Sequence, residues 1–81
     1  MITVCTPKIK EIIEVSKKFE ILLNACILRF YDGDWDECSD FDKAENDADK
    51  EHASGFYTIC GFDVMIHRND KLITILLAEE Y

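Results

Sequence analysis

The chain has 81 residues and a mass of 9.4 kDa, and 48% of its residues are hydrophobic and 32% charged. This composition is typical of one small globular domain over residues 1–81 and excludes a disordered or collagen-like chain. No apolar run approaches the ~20 residues of a membrane span. The start MITVCTPKIK lacks the order of a secretory signal, so a cytoplasmic protein with four reduced cysteines is expected.

The first part of the chain predicts a short strand followed by two helices. Residues 2–5 are rich in β-branched side chains and indicate an edge strand. Thr6-Pro7 is typical of a helix start. Helical spacing of apolar residues then continues to residue 31, but one helix of this length would span about 37 Å, whereas a domain of this size has a radius of gyration of ~12 Å. We therefore expect a break at residues 15–18.

The next segment predicts a turn and a third helix. Asp32-Gly33-Asp34 is typical of a turn and is expected to end the second helix, with Gly33 in the left-handed conformation. Ser39 or Asp40 can cap the third helix. One narrow stripe of this helix is expected to face the core while every other side faces water, and it consists of Phe41, Ala44, Ala48 and His52.

The last third of the chain has the alternation of strands. Residues 56–60 and 63–67 flank Gly61-Phe62, which fits a type II′ hairpin loop, and a third strand at 72–77 follows the turn at 69–71. The predicted class is α+β. About three helices pack on one face of a small antiparallel sheet, formed by a C-terminal three-stranded meander to which the N-terminal strand can add.

Negative charge is concentrated in one quarter of the chain. Between Asp32 and Glu51 there are ten acids and two bases, so this segment carries the whole net charge of −8. Such a segment disfavours binding to nucleic acid, which requires Lys and Arg, and favours a basic protein partner. The alternative is that it is only the solvated side of a helix. The candidate partner-binding residues are Asp34, Trp35, Asp36, Asp42, Glu45 and Asp49.

Trp35 has two interpretations that the sequence leaves open. It either closes the core over the turn or stands exposed as an anchor for a partner, because Trp is over-represented among binding hot spots.

The two histidines and four cysteines suggest a metal site. The cysteine spacings contain no zinc-finger motif, so the candidate ligands centre on the histidines. If Gly61-Phe62 is the hairpin loop, His67 comes close to the end of the third helix, where Asp49 and His52 are one turn apart. These three side chains, with Glu45 or a water as a fourth ligand, could then bind Zn²⁺. The alternative is that His52 covers the core and His67 only decorates a strand.

The sequence offers no recognisable catalytic arrangement. It has no Gly-rich phosphate loop and no Gly-x-Ser-x-Gly, and no acid lies within an apolar run that would raise its pKa for acid catalysis. We therefore expect a protein that is not an enzyme.

Four short segments in order give the chain a family resemblance. They are Gly33-Asp34-Trp35, Asn46-Asp47, Ser54-Gly55-Phe56-Tyr57 and the ending ITILLAEEY at residues 73–81. Together they resemble a family of small proteins of plasmids, prophages and other mobile elements with a Gly-Asp-Trp-Gly, an Asn-Asp and a final Thr-x-Leu-Leu-Pro-Glu-Glu-Tyr. Asp36 stands in place of the second Gly of that pattern, and Ala78 in place of its Pro.

The resemblance implies an origin in a mobile element, and by size and charge the chain is similar to phage anti-CRISPR inhibitors. The expected function is an acidic inhibitor that binds a basic surface of a host defence nuclease, with Cas9 as the sharpest candidate, and blocks nucleic-acid loading. The alternatives are a small zinc-binding accessory protein and a neutraliser similar to an antitoxin. Neither membrane nor direct nucleic-acid binding is expected.

Overall fold

The structure is a computed structural model that describes residues 2–36 and 38–81. Within those ranges the chain forms a four-stranded sheet, three α-helices and two short 3-10 helices. The order is β1 (Ile2–Cys5), α1 (Pro7–Val15), α2 (Lys17–Tyr31), α3 (Asp40–Ala48), a 3-10 helix (Lys50–His52), β2 (Ser54–Ile59), β3 (Phe62–Asn69), β4 (Leu72–Leu77) and a second 3-10 helix (Ala78–Glu80). The predicted α+β class is confirmed.

The sheet has the order β1-β4-β3-β2. Strands β2, β3 and β4 form the predicted antiparallel meander. Strand β1 is the predicted edge strand, but it runs parallel to β4, so the sheet is mixed rather than entirely antiparallel. A parallel pair needs a long crossover connection, and the chain between β1 and β4 provides it.

Helices α1 and α2 cover one face of the sheet. The core between them contains Ile9 of α1, Phe19 and Leu23 of α2, and the strand residues Val64 and Ile66. The predicted break is confirmed at Ser16, whose φ of −139° is extended and whose Oγ accepts a hydrogen bond from the backbone N–H of Phe19 over 3.2 Å. Ser16 therefore ends α1 and caps α2.

The predicted hairpin loop is wrong by one residue. Ile59 pairs with Phe62, so the loop is Cys60-Gly61, and both residues have positive φ, 51° and 82°. Two positive φ values define a type I′ turn rather than type II′. Because the loop moves back along the chain, His67 pairs with Ser54 and not with Phe56.

The orientation predicted for α3 is also wrong. Phe41 is 70% exposed, and Ala44 and Ala48 are exposed too, whereas the buried residue of the helix is Asn46. The expected capping residue is confirmed, since Ser39 accepts a hydrogen bond from the N–H of Asp42. The helix ends at Ala48, and His52 lies in the 3-10 helix that follows and is exposed.

Candidate protein-binding site

Trp35 fixes the loop between α2 and α3. Its ring is 4% exposed and packs edge-on against Phe30, with 5.2 Å between ring centroids. Its indole Nε1 donates a hydrogen bond to Oδ1 of Asp47 in α3 over 2.9 Å. Trp35 therefore closes the core and is not an exposed anchor, so the prediction that it contacts a partner is wrong.

Arg29 neutralises two of the acids that were predicted to contact a partner. Its Nε lies 2.8 Å from Oδ2 of Asp34 and its Nη2 lies 2.7 Å from Oδ1 of Asp36. The hydrogen bond from Arg29, with a second from the backbone N–H of Asp36, lowers the pKa of Asp34 below its ordinary value. Asp34 and Asp36 therefore serve to close the loop onto α2 and are not free charges.

Tyr57 ties the same loop to the sheet. Its hydroxyl donates to the backbone carbonyl of Asp34 over 2.7 Å, and the guanidinium of Arg29 lies over its ring at 5.4 Å from the centroid. The side chain is 1% exposed, and this burial raises the pKa of Tyr57 well above its ordinary value. The ring passes directly over Gly55, where a Cβ would stand 2.7 Å from the hydroxyl oxygen.

Asn46 attaches α3 to the edge strand β2. Its Oδ1 accepts from the N–H of Ser54 over 3.1 Å, and its Nδ2 donates to the carbonyl of Ser54 over 2.8 Å. The thiol of the buried Cys38 donates to the same carbonyl. The carboxamide thus bonds to both the N–H and the C=O of Ser54, as a neighbouring strand would. This attachment turns the Asn46 side of α3 toward the sheet and the opposite side toward solvent.

The outward side of α3 is apolar in the centre and acidic around it. Phe41, Ala44 and Ala48 form the exposed stripe. Because residues three and four apart are neighbours on a helix, Asp40 and Asp47 lie on one side of this stripe and Glu45 and Asp42 on the other. Within residues 2–36 and 38–81, no Lys or Arg forms an ion pair with Asp42 or Glu45.

A cleft of about 380 Å³ opens beside the acidic side of α3. Asp42 and Glu45 form one wall and His52 and Tyr81 contribute to its rim, while Phe56 and Met65 line it from the sheet. Both of the latter lie on the sheet face that α1 and α2 do not cover. Met65 is almost fully buried, so the cleft combines two unpaired carboxylates with the half-buried ring of Phe56, which suits the charged head and long stem of Lys or Arg.

The predicted zinc ligands do not come together. Asp49 contacts His52, with 3.1 Å between Oδ2 and Nδ1, but His67 lies on β3 and shares a 2.7 Å hydrogen bond with the Oγ of Ser54. Among the described residues no group of three His, Cys, Asp or Glu side chains is placed to hold a metal ion. His67 pairs with Ser54 across the hairpin, so its Nδ1 is engaged by Ser54 rather than directed toward Asp49 and His52.

Of the six residues predicted to bind a partner, three remain accessible without a Lys or Arg partner: Asp42, Glu45 and Asp49. Phe41 was missed, because its spacing with Ala44 and Ala48 indicated a buried stripe. The composition of α3 argued against burial of this stripe, because the helix has only two alanines beside Phe41 to pack against a core.

Three of the four segments that carry the family resemblance are largely structural. Trp35, Asp47, Asn46, Ser54, Gly55 and Tyr57 belong to them, and all take part in the contacts that hold α3 and its preceding loop against β2.

Comparisons with known proteins add no family or relative. No protein-family model matches the chain, and no curated protein and no solved structure is significantly similar to it. Within the described residues, no helix has both the length and the apolar character that crossing a bilayer requires.

Proposed function

We propose that this chain is an acidic inhibitor that binds a basic surface of another protein through the outward side of α3, and that it acts by occupying that surface rather than by catalysis. The observation that carries the proposal is the exposure of Phe41 in the middle of carboxylates that have no Lys or Arg partner in the described part of the chain. An apolar centre with a charged rim is the arrangement of a binding interface.

The charge distribution supports a basic partner. Carboxylates held on one short helix repel one another, and this repulsion is reduced when Lys and Arg of a partner approach. Arg29 neutralises Asp34 and Asp36, so the interface reduces to α3 and the residues directly after it. Asp42 and Glu45 are three residues apart and therefore neighbours on α3, and Asp49 is the residue directly after the helix.

The cleft beside α3 extends the same surface. An Arg or Lys of the partner can place its charged head beside Asp42 and Glu45 while its stem contacts the half-buried ring of Phe56. A flat acidic surface would attract any basic protein, whereas this cleft selects a partner with a protruding basic side chain next to an apolar pocket for Phe41.

The family resemblance supplies the class of target. Proteins that act for mobile elements meet host defence nucleases, and a Cas9-type nuclease holds its RNA–DNA heteroduplex in a positively charged channel. A row of carboxylates can compete with phosphates for such a channel, so the inhibitor would prevent nucleic-acid loading. The site of action on this proposal is the host cytoplasm.

The test is a DNA-cleavage assay with a purified Cas9-type nuclease that is mixed with the chain before guide RNA is added. The wild type should inhibit cleavage, and the triple variant Asp42→Lys, Glu45→Lys, Asp49→Lys should not. A matched control reverses three exposed acids elsewhere, Glu11, Glu14 and Glu79, and should still inhibit. Equal inhibition by both folded triple variants would refute the role of α3, and no inhibition by the wild type would refute this class of target.

A further inference from the structure

The sheet has one edge that the described chain leaves open. Strand β1 pairs only with β4, so its other side has no neighbour within residues 2–36 and 38–81. The N–H of Ile2 donates to the carbonyl of Lys71, and the N–H of Thr6 donates to the carbonyl of Ile75. In a parallel ladder this pattern directs the backbone N–H and C=O groups of residues 2, 4 and 6 toward β4. The backbone N–H and C=O groups of Thr3 and Cys5 consequently point away from the sheet.

The open edge also lacks the features that normally prevent strand pairing. Natural edge strands carry charges, a proline or a bulge, or are covered by another segment. Strand β1 reads Ile-Thr-Val-Cys, with no charge and no proline, and Ile2 and Val4 are 65% and 41% exposed. Side chains of this kind favour β-pairing.

The opposite edge is protected in a visible way. Asp36 forms a bridge with Phe56 of β2, and the carboxamide of Asn46 bonds to the backbone of Ser54. One edge is therefore closed by the chain itself, and the other is exposed and uncharged.

The placement of charge decides what can pair with β1. A second copy of this chain would meet β1 at the edge farthest from α3, which lies beside β2. In a joint sheet of two copies, the two β2 strands would be seven strand spacings apart, about 34 Å at ~4.8 Å each. This exceeds the ~8–10 Å Debye length at physiological salt, so the two acidic helices would barely repel each other.

We propose that two copies of the chain associate through antiparallel pairing of their β1 strands, which forms one eight-stranded sheet. With Val4 opposite Val4 of the second copy, the outward groups of Thr3 in each copy bond to those of Cys5 in the other. All the outward backbone groups of β1 are then used, and the exposed Val4 side chains contact across the two-fold axis. Such a short interface is small and gives a weak dimer rather than an obligate one.

The experiment measures mass and amide protection on the full chain. Light scattering or sedimentation from about 10 µM to about 1 mM, the range in which a weak interface is populated, should show a shift from the 9.4 kDa chain toward twice that mass. As the protein concentration rises through this range, hydrogen exchange at the amides of Thr3 and Cys5 should become slower. The amides of Val4 and Thr6, which bond to β4, should be protected at every concentration.

Two variants separate this dimer from other association. Val4→Lys places two ammonium groups opposite each other and should return the protein to a monomer. Leu72→Lys is the matched control, because Leu72 is 40% exposed on the same sheet face but one strand further in, and it should still dimerise. A monomer at about 1 mM, or exchange at Thr3 and Cys5 that does not depend on concentration, would overturn the proposal. A dimer that Val4→Lys leaves intact would also overturn it.

Discussion

The indole Nε1 of Trp35 donates a 2.9 Å hydrogen bond to Oδ1 of Asp47. This bond links the loop that follows α2 to the last turn of α3, and it satisfies the polar atom of a side chain that is otherwise in the core. Together with the bonds of Asn46 to Ser54, it fixes which side of α3 is turned outward.

Asp47→Ala should destabilise the fold. The substitution leaves the indole N–H of Trp35 without its acceptor, and the loss of a hydrogen bond to a charged group costs about 1.5–3 kcal/mol in the free energy of unfolding. Urea denaturation followed by tryptophan fluorescence measures it. Glu51→Ala removes another exposed carboxylate, one to which no indole is bonded, and should change the free energy by less than about 0.5 kcal/mol. Equal effects of the two variants would contradict the assigned role of Asp47.

Gly55→Ala should also destabilise the fold, although its backbone conformation is ordinary. The new Cβ would stand 2.7 Å from the hydroxyl oxygen and 2.8 Å from a ring carbon of Tyr57. The ring is buried and cannot move without breaking its bond to Asp34, so we expect a cost of about 1–3 kcal/mol. Thermal unfolding should show a lower Tm than that of Thr58→Ala, an exposed position on the same strand; similar Tm values would be evidence against the close packing.

Acidification should destabilise the protein through Asp34. Its pKa is lowered in the folded state from an ordinary value of 3.8, because Arg29 and the N–H of Asp36 bond to its carboxylate. The unfolded chain then binds the proton more readily, so this contribution is present above about pH 4 and is lost as the pH falls through the folded pKa. Chemical denaturation from pH 6 to pH 2 should show a smaller acid dependence for Asp34→Asn than for the wild type. An unchanged dependence would contradict this account.

Phe41→Ser should separate stability from binding. Because Phe41 is 70% exposed, its replacement should change the free energy of unfolding by less than about 0.5 kcal/mol. If Phe41 is the apolar centre of the interface, affinity for the partner should fall about tenfold or more. Isothermal titration with the purified partner and a melting curve give the two quantities. A large loss of stability with unchanged affinity would mean that Phe41 belongs to the fold.

The sequence predicted the elements better than their orientation. The break at Ser16 and the meander follow from strong periodicity and from local chemistry, and both are confirmed. The hairpin loop was misplaced because Cys60 adopts a positive φ that its residue type rarely favours. That single shift makes Ser54 the strand partner of His67, and the Oγ of Ser54 bonds to its Nδ1.

The proposed binding surface could be predicted only in part, for a physical reason. Periodicity assumes that the apolar stripe of a helix faces the core, but α3 is held by polar contacts of Asn46 and Asp47 with Ser54 and Trp35, which lie outside the helix. Such contacts leave no periodic signal. Charge alone suggested Asp42, Glu45 and Asp49, whereas the exposure of Phe41 became visible only with the structure.

The most direct test of the central claim is capture of proteins from a host-cell lysate on the immobilised chain at low and at high salt. The wild type and the control with Glu11, Glu14 and Glu79 reversed to Lys should retain the same basic protein at low salt. That protein should elute as ionic strength rises. The variant with Asp42, Glu45 and Asp49 reversed to Lys should retain none of it, while its Tm stays within about 5 °C of the wild type. Retention of the same protein by this folded variant, or a captured protein that is insensitive to salt, would contradict the account.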